Sequence, residues 1–341
     1  MAKHRVTLQS IADACGLSRT TVSKVFNNRG AVPDATRDLV LKKAAEMGYY
    51  DQIPSLSPVP SVPRCIAILS RSNPLNHHFG SMFIKSFTDT VCRGGYTVQM
   101  YELSEEELSE HRLPARLAAD NTIGVLAIEL FDRSFIDYLC GLDYPVILVD
   151  GYRGVNSSKL PCDVISMENT CSVMRITEQI IGNGAKTIGF VGDILHCNSF
   201  YERWEGFCRA MQSADLTVDR DFCILAPDGS QYADLNWTVS QLKKMPHIPD
   251  AFVCANDYHA VKLILSLKQM GLSVPEDIKV SGFGDGPEAD LIAPGLTTAR
   301  IPSAELGFFA AGILLKRCEG LGLPFTFTYM QTETVFRDST S

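Results

Sequence analysis

Residues 7–27, TLQSIADACGLSRTTVSKVFN, constrain this chain more than any other stretch, because they spell two short helices joined by a tight turn. Leu8, Ile11, Ala12 and Cys15 recur at helical spacing, giving a first helix one apolar face. Gly16 follows and supplies the left-handed backbone that commonly ends a helix. Ser18 is a good N-cap for a second helix whose apolar stripe is Val22, Val25 and Phe26. Its outward positions are Arg19, Thr20, Thr21, Ser23, Lys24 and Asn27, mostly short hydrogen-bonding side chains with two cations. Such a face suits a helix whose N-terminal end enters a DNA major groove. A third helix is expected from about Asp34 to Met47, with Pro33 near its start and Gly48 at its end. Leu39, Val40, Ala44 and Met47 would close a three-helix core.

The net charge of −8 argues against DNA binding only until it is divided. Residues 1–63 carry eight Lys/Arg against five Asp/Glu, and the remainder carries 23 against 34. A basic head on an acidic body confines the attraction for phosphates to one end. From Asp51 to Pro63 the sequence turns to DQIPSLSPVPSVP, whose prolines exclude a continuous helix and favour an extended spacer.

Beyond the spacer, apolar runs alternate with helical patterns. Strands are expected at Cys65–Leu69, Thr97–Met100, Gly124–Ile128, Val146–Val149, Asp163–Ser166, Thr187–Val191, Phe252–Cys254 and Lys279–Phe283. Helices are expected near 80–94, 132–140, 168–183, 199–214, 232–245, 257–271 and 303–319. This alternation implies parallel sheets with helices on both faces, and eight strands divide more naturally into two sheets than one.

The 7–27 stretch resembles the headpiece of the lactose-repressor (LacI/GalR) family. Val6, Thr7, Leu8, Ile11, Ala12, Gly16, Ser18, Thr21, Val22, Ser23, Val25, Phe26 and Asn27 match in register, while Ser10, Cys15 and Lys24 replace the usual Asp, Ala and Arg. The resemblance continues through PVILVD (145–150), the R-x-x-G-F run at Arg203–Phe207, CAND (254–257), VPEDI (274–278), GF (282–283) and PGLTT (294–298) with Gly307. It implies an α/β chain: an N-terminal three-helix helix-turn-helix headpiece at 1–50, the proline-rich linker at 51–63, and a two-lobed, periplasmic-binding-protein-like core of two doubly wound parallel sheets at 64–341. By the same resemblance, lobe 1 takes about 64–161 and 296–322, lobe 2 about 162–292 and 324–337, with crossings near 161–162, 292–296 and 322–324.

Within the headpiece, Arg19 and Thr20 open the second helix and are assigned to base edges, since arginine is the commonest guanine reader. Ser18, Thr21, Lys24, Asn27 and Thr36 are assigned to phosphates, and Thr7 and Ser23 complete the candidate DNA-facing set. For the ligand cleft the resemblance points to Phe79, Asp150, Arg203, Asn256 and the 282–285 loop. Family members usually read G-[FY]-D-[DN] in that loop. This chain reads Gly282-Phe283-Gly284-Asp285, so either Asp285 takes over the missing carboxylate's hydrogen bonds or the ligand lacks the usual hydroxyl pair. The linker departs further. The family's hinge-helix leucine would fall at Pro58, which leaves only Leu56 as a wedge from an extended segment and predicts weak DNA bending.

Catalytic signatures are missing. IIGNGAKT (180–187) has Ala185 where a phosphate loop requires glycine, GFGDG lacks the dinucleotide spacing, and neither G-x-S-x-G nor HExxH occurs. The 11 cysteines show no zinc-ligand spacing and are expected as reduced thiols, several of them in apolar runs such as RCIAIL and AFVCAN. No run of apolar residues is long enough to span a membrane, and the N-terminus has no secretory core. The expectation is therefore a cytoplasmic, homodimeric, sequence-specific regulator, acting in the repressor sense, with no catalytic residue, metal or cofactor. Its partners would be a pseudo-palindromic double-stranded operator and a small polar ligand, a sugar or related metabolite, between the lobes. The alternative is a sugar-binding protein of the periplasmic type without DNA function, against which the headpiece stands.

Overall fold

The computed structural model describes residues 6–26, 32–47, 49, 64–76 and 78–341. Asn27, assigned above to a phosphate, and the whole 51–63 linker with Leu56 and Pro58 lie outside the described residues. The chain divides into two compact units, Met1–Pro63 and Arg64–Ser341.

In the first unit, α1 (Leu8–Cys15), α2 (Arg19–Phe26) and α3 (Asp34–Glu46) follow one another as the pattern predicts. Thr7 begins α1 with a reciprocal cap: its hydroxyl accepts from the Ser10 N–H, and the Ser10 hydroxyl accepts from the Thr7 N–H at 2.8 Å. Gly16 ends the helix at φ +67° with open space where a Cβ would stand, so this glycine serves conformation and not room. The core is Ile11, Ala12, Val22, Val25, Val40, Ala44 and Tyr49. Leu39, expected inside it, is 48 % exposed, since Val40 takes the inward position on α3.

Among the described residues the second unit holds eleven strands. They are β1 (Cys65–Ser70), β2 (Thr97–Glu102), β3 (Thr122–Ile128), β4 (Val146–Val149), β5 (Asp163–Met167), β6 (Ile188–Val191), β7 (Ala251–Cys254), β8 (Lys279–Ser281), β9 (Thr298–Arg300), β10 (Phe327–Met330) and β11 (Glu333–Val335). One all-parallel sheet runs β10-β5-β4-β3-β1-β2. Its side chains alternate between two apolar layers as the pleat demands. Ile66, Ile68, Leu126, Ile128, Ile147 and Val149 face Phe83, Phe87, Leu306 and Ala310. Ala67, Leu69, Val125, Ala127 and Leu148 face Leu117, Phe135, Ile136 and Leu139. Helices His78–Arg93 and Ser303–Cys318 cover the first layer together, and Gly307 lets them touch: a Cβ there would stand 2.3 Å from the Phe83 carbonyl oxygen.

The second sheet is a parallel β6-β7-β8, extended by single bridges to Ile224 and Thr297. Phe190 and Val253 pack toward Trp204 and Phe207, while Phe252, Cys254 and Val280 pack toward Leu263 and Leu267. Both lobes therefore carry helical cover on two faces.

The lobe boundaries differ from those expected. β5 and β10, placed above in lobe 2, are neighbouring strands of the first sheet. The cause is the Asp163 carboxylate, which is held by both Arg317 (2.7 and 3.0 Å) and the Thr326 N–H (2.9 Å) and binds all three segments to lobe 1. Residues 296–300, placed above in lobe 1, belong to lobe 2, because Thr297 and Arg300 bridge Ser281 and Gly284 and β9 pairs antiparallel with β11. The crossings thus fall at about 168–169, 301–302 and 331–332. After the last crossing the chain returns to plug lobe 2. Ser339 Oγ donates to the Val280 carbonyl at 2.6 Å, Thr340 pairs with the Thr297 hydroxyl at 2.7 Å, and both residues are fully buried.

Candidate DNA-binding and ligand-binding sites

In the headpiece, α2 buries Val22 and Val25 and leaves Ser18, Arg19, Thr20 and Lys24 exposed. Ser18 Oγ accepts from the Thr21 N–H at 3.1 Å and meets the Thr21 hydroxyl at 2.8 Å, so it caps the helix and ties Thr21 down. Arg19 and Thr20 then project from the first turn, the end that leads into a groove. Thr21 and Ser23 are half-buried, as is Thr36 on α3, while the Thr7 hydroxyl is occupied by its cap.

In the second unit, the carboxyl ends of both parallel sheets converge on a cavity of about 560 Å³, a size that suits a small molecule. Parallel strands commonly bind ligands at this edge, next to the point where strand order reverses, here between β1 and β3. Phe79, Asp150, Arg203 and Asn256, drawn from four separate segments, all line it.

Arg203 is 5 % exposed and firmly held. Its Nε donates to Asn169 Oδ1 at 2.9 Å, an Nη donates to the Ala255 carbonyl at 2.7 Å, and the guanidinium lies 3.7 Å above the Phe283 ring centroid. Gly206, one turn on, allows this: a Cβ there would sit 2.3 Å from the Thr170 carbonyl, so the Arg203 helix, Asn198–Ser213, packs flat on helix Thr170–Gly182. Asp150 stands at φ +62°, and its Oδ1 accepts from the Ser199 N–H across the cleft at 3.2 Å. Burial pushes the Asp150 carboxyl up from the ordinary carboxylate range, with the Ser199 hydrogen bond and the Arg203 charge pulling it back. Asn256 caps helix Asp257–Gln269 through Oδ1, which accepts from the His259 N–H at 2.9 Å, and its amide nitrogen is left to the cavity.

Asp285 is the exception. Its side chain is 7 % exposed and is gripped by Arg300 (2.6 Å) and Arg337 (2.7 Å), neither of which lines the cavity. Gly284 and Gly286 line the cavity but Asp285 does not, so its assignment to the ligand is corrected: two ion pairs consume the carboxylate.

Reading the sequence missed several groups. Asp257 accepts from the Thr298 hydroxyl at 2.6 Å and the Gly286 N–H at 3.1 Å, and burial, with Glu288 nearby, pushes it up to about 6. Asp228 accepts from His259 Nε2 at 3.2 Å and lies 3.7 Å from His196 Nε2. Burial alone would raise Asp228, but the two histidines hold it below the carboxylate range. Phe131 of lobe 1 meets the His196 ring edge-on at 4.8 Å, and Phe200, Tyr258 and Phe283 add further aromatic lining. Asp257 stood in plain view beside Asn256 in the CAND run; Asp228, in the loop APDGS, carries no periodicity or motif to mark it. The described residues contain no acidic, cysteine or histidine group able to hold a metal ion, and no helix among them is long and apolar enough to cross a membrane. All 11 cysteines are free, though Cys92 and Cys171 are exposed and do not share the buried setting of Cys65 and Cys254.

Comparison with known proteins joins the two sites. Residues 7–52 match the family described as bacterial regulatory proteins, lacI family, and residues 177–340 match the periplasmic binding protein-like domain. The chain belongs to the lacI family. Relatives include the HTH-type transcriptional repressor PurR of Vibrio vulnificus, 28 % identical over 339 residues and 98 % of both chains. The ribose operon repressor of Bacillus subtilis is 24 % identical over 335 residues, again 98 % of each. Similar folds include the lac repressor dimer bound to operator and the anti-inducer ONPF, with a TM-score of 0.71 at 22 % identity over 99 % of each chain. The transcriptional regulator CelR in its cellobiose complex gives 0.72 at 22 % identity, covering 98 % of this chain and 100 % of that one. As a member of the lacI family this chain is a DNA-binding transcriptional regulator.

Proposed function

We propose that the chain is a homodimeric repressor whose affinity for a pseudo-palindromic operator is set by a small hydroxylated ligand, a sugar or related metabolite, held between its lobes. The observation that carries this reading is the cavity of about 560 Å³ lined by the polar groups of Asp150, Arg203 and Asn256 together with the rings of Phe79, Phe200 and Phe283. Fixed guanidinium, carboxyl and amide groups match ring hydroxyls, while aromatic faces match the apolar face of a sugar. Relatives that are a ribose operon repressor and a cellobiose-bound regulator support that class. Arg19 and Thr20 read base edges, Ser18, Thr21, Lys24, Asn27 and Thr36 set the register on phosphates, and Thr7 and Ser23 complete the DNA-facing set. Two headpieces are needed because one recognition helix spans only a few base pairs. No catalytic role is assigned, in keeping with relatives that are repressors.

The test is a gel shift of the full chain on its own upstream DNA, repeated with a panel of pentoses, hexoses, disaccharides and nucleobases. One sugar should change the shift and also raise the thermal midpoint. A sugar that stabilises the chain but leaves DNA affinity untouched would overturn the regulatory coupling.

A further inference from the structure

Behind Arg203, outside the cleft lining, lies a buried hub made by its neighbour Glu202, 5 % exposed. Glu202 Oε1 accepts from Asn198 Nδ2 at 2.8 Å, from Asn156 Nδ2 at 3.3 Å and from the Tyr329 hydroxyl. Oε2 accepts from Asn169 Nδ2 at 2.8 Å. These donors come from both lobes. Asn156 follows β4 and Tyr329 lies on β10, both in lobe 1; Asn169 is in the first crossing; Asn198 begins the Arg203 helix in lobe 2. Asn198 adds two further ties to lobe 1, its N–H donating to the Gly151 carbonyl (2.9 Å) and its Oδ1 accepting from the Gly154 N–H (3.0 Å).

Asn169 transmits the arrangement to Arg203. With its NH₂ directed at Glu202 and at the Met167 carbonyl (2.8 Å), its oxygen faces the Arg203 Nε–H. A carboxylate that only accepts fixes the amide this way round; a donor in its place would favour the flipped amide and leave the Arg203 Nε–H unpaired. We propose that Glu202 is a positioning residue for Arg203, which ties the placement of the ligand-facing guanidinium to the relative arrangement of the two lobes. When the lobes separate, Asn156 and Tyr329 leave the hub, Glu202 and Asn169 lose their fixed orientation, and Arg203 loosens. A ligand that holds Arg203 in turn favours the arrangement in which the hub is complete. The proposal rests on the reading of the cavity as the ligand site.

Tyr329→Phe tests it most cleanly, since it removes one hydroxyl from a side chain 42 % exposed and outside the cleft lining. In the ¹⁵N-labelled full chain, the Arg203 Nε–H resonance is identified by its loss in Arg203→Lys. Tyr329→Phe and Glu202→Gln should speed its solvent exchange by about tenfold or more, because hydrogen bonds to a charged group are the strong ones in such a network. Glu202→Asp, which keeps the charge, should recover part of the protection. Should Glu202→Gln fail to fold, Tyr329→Phe carries the test alone. An Arg203 signal unchanged in folded Tyr329→Phe overturns the linkage and makes the hub merely structural. DNA affinity of the wild-type chain is measured separately, so a protein that ignores DNA yet shows the shifted signal refutes the regulatory reading and supports the linkage.

Discussion

Replacing Gly284 by aspartate would restore the carboxylate usual in the family at the price of a second negative charge beside Asp257. Gly284 sits at φ +138°, and a Cβ there would stand 3.3 Å from Asp257 Oδ2. Gly284→Ala meets only the backbone strain and tight contact, roughly 1–3 kcal/mol. Gly284→Asp adds Coulomb repulsion, about 3 kcal/mol for two charges roughly 5 Å apart at an effective dielectric near 20. Asp257 limits that cost by taking up a proton. Because burial raises it to about 6, full protonation at pH 7.5 costs about 2 kcal/mol, which caps the added penalty. The sign follows from the raised value. Stability linked to the Asp257 proton is complete below the ordinary 3.8 and is lost as pH rises through about 6. The aspartate variant should therefore be about 2 kcal/mol less stable than the alanine variant at pH 7.5 and nearly equal to it at pH 5. Urea unfolding of the full chain, followed by the fluorescence of Trp204 and Trp237, measures both differences, since these are its 2 tryptophans and both lie in the second unit. Equal losses for the two variants at pH 7.5 would show that the carboxylates do not oppose each other, and the electrostatic argument would fail.

Arg19→Ala should cost about 1–3 kcal/mol on the operator and relax preference at one base pair per half-site, whereas Lys24→Ala should weaken all DNA alike and flatten the salt dependence. Competition gel shifts decide between them, and equal losses on specific and random DNA for Arg19→Ala would remove the base-reading role. Asp285→Ala should destabilise the second unit by about 2–4 kcal/mol, with the half-exposed Arg300 contributing little and the more buried Arg337 most, yet leave calorimetric ligand affinity within about twofold. Loss of binding without loss of stability would return Asp285 to the cleft. Arg317→Ala, which strands the buried Asp163 carboxylate, should cost about 3–5 kcal/mol, with Arg317→Lys recovering only part because lysine cannot make the paired contact. A melting curve within about 1 kcal/mol of wild type would show that water replaces the pair.

What could be read from sequence was what periodicity encodes. β4 was bounded to the residue because its continuous apolar run is buried on both faces, and helices such as Asn198–Ser213 to within one because each buries a repeating apolar face. β9, β10 and β11 escaped notice: three to four residues each, with partly exposed faces and threonine-rich sequence, they exist through their partners and not through their own pattern. The lobe boundaries moved for a related reason. Nothing local in DVISM says which sheet it joins; the long-range grip of Arg317 on Asp163 does. Among the residues that line the cavity, Asp150, Arg203 and Asn256 lie in recognisable runs, while Asp228 and His196 became neighbours only on folding. Asp285 shows the converse, a residue in the expected position whose charge is already spent on two arginines.

The return of the chain into lobe 2 sets a timetable for its synthesis. Among the described residues, the headpiece core lies between Ile11 and Tyr49, so that unit can close while most of the protein is still unmade. Lobe 2 has no such independence. Thr297 and the β8 carbonyl of Val280 wait for Ser339 and Thr340, and until these arrive the lobe keeps an open polar seam beside its three-stranded sheet. A nascent chain would thus hold a folded DNA-binding head well before it owned a finished cleft. The cavity between the lobes is complete only once Ser339 and Thr340 have been made and docked.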